Sequence, residues 1–154
     1  MSEERSSPHE AAFVASRSDR DRTLLAIHRL ESALAMATGA EGWLGRVLED
    51  LDALETALSD ELCEANRPDA LLSMIAGENP RRFGSRVRHL REQHDDIIRQ
   101  VASLRRQLAQ EDEHGIDPGD LRHRVGWVIR ALHHQRARET DLVYDAVERD
   151  LGEL

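Results

Sequence analysis

Apolar positions along this chain recur in helical steps of three and four, in four long runs and one short one. The first run spans about Asp19 to Ala37. Ser18 is placed to cap it, with Asp21 three residues on in a capping-box-like position, and Leu24, Ile27 and Leu34 form its inner stripe. Gly39 and Gly42 break the pattern. The second run, Trp43 to Ala65, carries Leu44, Leu48, Leu51, Leu58 and Leu62, with Glu55 in the one gap of the series. Asn66, Arg67 and Pro68 end it. A short run from Asp69 to Ala76 presents Leu71, Leu72 and Ile75 as an apolar plug and stops at Gly77. The third long run opens with Asn79 as cap and Pro80 in the first helical position, where the missing N–H of proline does no harm. Its seam reads Phe83, Val87, Leu90, His94, Ile97, Val101, Leu104, Leu108, and His94 is the exception. After an acidic, flexible loop from Glu111 to Ile116, Asp117 caps the last run, with Pro118 first and Asp120 at the capping-box position. That seam reads Leu121, Val125, Val128, Leu132, Gln135, Glu139, Leu142, Ala146, and Gln135 and Glu139 interrupt it.

Four long amphipathic helices with short connections predict an all-α, up-down-up-down four-helix bundle over residues 18–154. A short extra helix lies between the second and third long ones, and residues 1–17 read as a disordered or loosely attached tail. Composition agrees: 154 residues suit one domain, with 40% hydrophobic and 33% charged residues and few aromatics. A net charge of −9 repels a phosphate backbone, so nucleic acid is not an expected partner. The 21 basic residues are all Arg. One cysteine, Cys63, excludes an internal disulfide and a thiolate metal cluster, and points to a cytoplasmic protein. No apolar run reaches the length of a membrane span, and Met1 to Ser7 is polar, without the apolar core of a secretory signal. No phosphate-binding glycine loop and no nucleophile–base set is visible, nor an HExxH, CxxC or EF-hand pattern.

Candidate chemistry lies in the polar residues that share the apolar stripes. At about 100° per residue, Glu31 falls at the centre of the first stripe and His28 at its edge. Glu55 falls near the centre of the second and Glu61 at its edge. His94 and Glu139 are central on the last two helices, and His133 and His134 flank the final stripe. A carboxylate in an apolar core is costly unless it is paired or bound to a metal. Imidazole and carboxylate ligands from facing helices are what iron sites in helical cores use. Each residue has a plainer reading beside that one. His94 alone reads as a hydrogen-bonded core histidine, and Glu31 and Glu55 as helix-edge carboxylates paired with Arg. His9, His89, His114 and His123 read as solvated, and Cys63 as an ordinary thiol. Arg81, Arg82, Arg86, Arg88 and Arg91 read as a solvated face, and Trp43 and Trp127 as packing anchors.

The strings IHRLESALA, EGWLGRVLEDL, NRPDALLSMI, NPRRFGSRVRHLREQH and RETDLVYDAVERDLG follow one another in this order. Together, from about Thr23 to Gly152, they resemble the hemerythrin-like, or HHE cation-binding, domains. That resemblance implies a four-helix bundle with a non-haem iron centre of one or two ions, meeting O2, NO or peroxide in sensing, storage or scavenging. In the family pattern H…HxxxE…H…HxxxE, His28 matches the first His, His94 the third-helix His and Glu139 the final Glu. Glu61 stands at the second-helix His position, followed by Glu64 instead of a Glu four residues on. Gln135 stands at the last His position; His134 is one residue off, at the HxxxxD spacing of hemerythrins from Glu139. The metal set implied is therefore His28, Glu61, His94, His134 and Glu139. The alternative, motivated by Gln135, is a metal-free bundle with a structural or protein-interaction role.

Overall fold

In a computed structural model of the chain, residues 8–36, 41–112 and 115–152 are described, and they form helices and no strand. The helices are α1 (Pro8–Ala35), α2 (Trp43–Ala65), α3 (Leu71–Glu78), α4 (Pro80–Ala109) and α5 (Pro118–Gly152). None of the described helices is long and apolar enough to cross a membrane.

Neighbouring long helices run antiparallel, as the bonds between them require. Between α1 and α2, Trp43 Nε1 donates to the Ala33 carbonyl and Thr23 Oγ1 to Glu61. Between α2 and α4, Arg105 meets Glu55 and Arg91 meets the Ala65 carbonyl. Between α4 and α5, Arg86 meets Asp145 and Arg124 meets Gln107. Between α1 and α5, Arg20 meets Glu139 and Arg122 meets the Leu34 carbonyl. The enclosed core is built on Leu30, Leu51, Leu54, Leu58, Val101, Leu108, Leu121 and Leu132, all fully buried. The short helix behaves as the expected plug. Leu72 and Ile75 pack with Phe83, Val87, Leu90 and Leu142 in a second apolar cluster.

Sequence expectation and structure coincide best on α4, where all eight seam positions, His94 included, are buried. Asn79 caps this helix as its sequence predicts: its side chain accepts from the Arg82 N–H at 3.4 Å. Asp117 likewise accepts from the Gly119 N–H at 3.1 Å ahead of α5. Gly42 precedes α2 with φ 83°, in the left-handed region that glycine enters without a Cβ penalty.

Three expectations need correction. The first helix starts at Pro8, so Ser18 lies inside it and is no cap, and residues 8–17 belong to α1. Ala11, Ala12 and Ala15 suit helix, but the large apolar residues of this stretch, Phe13 and Val14, are adjacent and set no spacing of three or four, so a stripe-based reading passes over it. Residues 1–7 lie outside the described residues, as do Gly39, His114 and the side chain of His9. The second correction is to the phase of α1. Its buried stripe is Thr23, Ile27, Leu30 and Leu34, and Leu24 is exposed. The third is to the ends of α3. It begins at Leu71 and continues through Gly77 to Glu78.

Candidate functional site

Polar side chains gather where α1, α2, α4 and α5 face one another near Glu61. In α2 the true stripe is Val47, Leu51, Leu54, Leu58 and Glu61, all buried. Leu54 fills the gap assigned to Glu55, which instead lies half-buried against Arg105 at 2.8 Å. Glu61 is thus at the centre of the stripe, not its edge, and is only 7% exposed.

Its carboxylate is fully engaged. Thr23 Oγ1 donates to Oε2 at 2.7 Å. Arg136, on α5, grips both oxygens with the two ends of its guanidinium: Nη2 donates to Oε2 at 2.5 Å and Nη1 to Oε1. Burial pushes this carboxyl up. The hydrogen bond and charge of Arg136, the Thr23 hydroxyl and the nearby His94 outweigh burial and hold it below the ordinary value of 4.5. Glu139, one turn beyond Arg136, lies 3.4 Å from Arg20 and 4.0 Å from Arg136. Two carboxylates and two guanidiniums therefore balance within the cluster.

Two further polar side chains of the cluster are also hydrogen-bonded. His94 is 6% exposed, with Nε2 2.9 Å from the Leu58 carbonyl. A carbonyl can only accept, so Nε2 carries a proton there, and a lone pair is available only at Nδ1. Gln135 is 5% exposed and donates from Nε2 to the Leu90 carbonyl at 3.4 Å.

Of the five residues assigned to a metal, the structure brings Glu61, His94 and Glu139 to one place and leaves His28 and His134 exposed on the surface. The corrected phase of α1 swings His28 and Glu31 outward together, because one residue is about 100° of rotation. His133 is exposed as well. Trp43 is a buried anchor, whereas Trp127 is 53% exposed and anchors nothing. Among the described residues, no three His, Cys, Asp or Glu side chains are grouped so as to hold a metal ion. The residues present do not fit the iron centre that the resemblance implies. The decisive mismatch is Arg136: a fixed cation already occupies both oxygens of Glu61.

Sequence reasoning missed Thr23, Arg20 and Arg136. Thr23 had a signal, since it continues the 27–30–34 spacing of α1. Arg136 had a weaker one, lying three residues before Glu139 on the same helix.

Beside the cluster lies a cleft of about 630 Å³. Glu61, His94, Gln135 and Glu139 form its polar floor. Ala11, Ala12 and Ala15 of α1, Leu62 and Ala65 of α2, the residues from Arg67 through Leu72 together with Met74, and Leu90 and Arg91 of α4 make its walls. A smaller space of about 210 Å³ adjoins it, sharing Ser16, Leu71, Leu72 and Glu139.

The chain matches no protein-family model, no curated protein and no solved structure.

Proposed function

We propose that this chain is a hemerythrin-like four-helix bundle that works without a resident metal and binds a small, largely apolar molecule in the cleft beside its polar cluster. Support for the bundle comes from four long helices, each antiparallel to its neighbours around one apolar core. Support for a hemerythrin-like ancestry is the convergence of Glu61, His94, Gln135 and Glu139, which stand at four of the six positions where the resemblance sets interior ligands. One observation carries the metal-independent reading: the Arg136 guanidinium balances Glu61, so the carboxylate needs no metal. The cleft carries the binding role. Its volume falls in the range of small-molecule sites, roughly 300–1,000 Å³, and its mix of apolar walls and a few fixed polar groups is typical of them.

The test has two arms. Protein purified from iron-supplemented cells is expected to hold iron well below one equivalent, and its melting temperature is expected to be the same with iron or with a chelator. Stoichiometric iron that disappears in His94→Ala would overturn the metal-independent reading and restore the iron site. For the cleft, titration with the dye 1-anilinonaphthalene-8-sulfonate is expected to give saturable fluorescence, abolished by Ala15→Trp, which fills the cleft wall. Unsaturable fluorescence, or a signal indifferent to that substitution, would remove the binding role.

A further inference from the structure

We propose that the ligand of this cleft is an amphipathic organic anion, with its head group on Arg91 and its aliphatic body along the wall made by α1 and α3. The inference rests on the cleft being a binding site, and goes on to name the class of ligand.

The charges around the cleft decide its sign. Five lining residues are acidic: Asp19, Glu61, Glu64, Asp69 and Glu139. Each has a guanidinium partner already. Asp19 has Arg22 at 2.6 Å, Glu61 has Arg136, Glu139 has Arg20, and Glu64 and Asp69 share Arg67 at 3.4 and 3.3 Å. Arg91 also lines the cleft, and among the described residues it has no carboxylate within salt-bridge distance. The five carboxylates and the guanidiniums of Arg20, Arg22, Arg67, Arg136 and Arg91 therefore balance overall, and Arg91 is the lining cation that no carboxylate meets, so positive charge is locally in excess at its end of the cleft.

Arg91 is held in place without being neutralised. Its Nη2 donates to the Ala65 carbonyl at 3.0 Å and to Ser73 Oγ at 2.5 Å. Ala65 is the last residue of α2, so this bond closes an open carbonyl at the helix end. A helix C-terminus carries only about half an elementary negative charge, so much of the Arg91 charge persists. Nε is buried without a partner, and no protein acceptor among the described residues meets Nη1. A half-buried cation with a spare amino group against an apolar wall is poorly compensated, and an incoming anion supplies what is missing. The wall beside it is Ala11, Ala12, Ala15, Leu71, Leu72 and Met74. Small side chains on α1 leave room for an aliphatic body to lie along the helix. A neutral ligand would leave Arg91 as it is, and a cationic one would be repelled by it.

Calorimetric titration of the full chain with octanoate, 1-octanol and octyltrimethylammonium tests this, because the three probes share a tail and differ in head charge. Octanoate is expected to bind most tightly, the alcohol about tenfold more weakly, a difference worth about 1.4 kcal/mol, and the ammonium most weakly. Added salt should weaken octanoate binding and spare octanol. Arg91→Gln is expected to reduce octanoate to the level of the alcohol, and Arg91→Lys to keep the preference. Should Arg91→Gln unfold through loss of the α2 end contact, the three probes on the unaltered protein still decide the matter. Octanol binding as tightly as octanoate, or a preference for the ammonium, overturns the anion assignment while leaving the cleft a binding site. If none of the three binds, or Ala15→Trp leaves their binding unchanged, the cleft reading falls as well.

Discussion

Glu61 and Arg136 form an ion pair whose halves depend on each other. Removing one partner of a buried pair strands the other charge at a cost of roughly 3–5 kcal/mol, whereas replacing both with apolar groups is often neutral or stabilising. Urea unfolding of Arg136→Ala is expected to show a loss in that range, and Arg136→Met combined with Glu61→Leu should recover most of it. A loss below about 1 kcal/mol, the scale of surface pairs, would mean that the pair is solvated. The same carboxylate sets an acid limit. Because its folded value lies below its ordinary 4.5, the stability it contributes is complete above about pH 4.5 and lost as pH falls through the folded value. Denaturation profiles of Glu61→Gln should therefore lack this part of the acid limb; an unchanged profile would assign acid unfolding to other carboxylates.

At the scale of elements, α4 was fully legible in the sequence, and α1 was not. Helix α4 has a large apolar residue at every seam position but one, so its phase is over-determined. Helix α1 buries Thr23, Ala26 and Ala33 and exposes Leu24 and Leu25, so apolar character alone turns it to the wrong face. That single rotation accounts for the misplacement of both His28 and Glu31. In α2 the ends were right and the phase was again ambiguous, because Leu48 and Leu62 lie beside the buried stripe and mimic it. The turn into α2 depends on backbone freedom at Gly42. A Cβ there would meet no neighbouring atom, so Gly42→Ala isolates the cost of the positive φ. Thermal unfolding should show a loss of about 1–2 kcal/mol. A neutral result would mean that the turn relaxes to another conformation.

For the whole molecule, the sequence identified the meeting point of His94 and Glu139 but not what neutralises it. Pattern reasoning ranks residues by polarity against a stripe, and an arginine near a stripe edge reads as solvent-facing. Only the assembled helices show that the Arg136 side chain reaches inward to α2. The cleft was illegible for a similar reason, since the part of its wall that α1 supplies is Ala11, Ala12 and Ala15, small residues that mark no stripe. The separation of 75 residues between Glu61 and Arg136 also bears on biosynthesis. Until α5 has been made, α1, α2 and α4 leave the Glu61 carboxylate without its guanidinium partner. The ion pair is thus a late contact of synthesis, formed only after the chain has been made beyond residue 136.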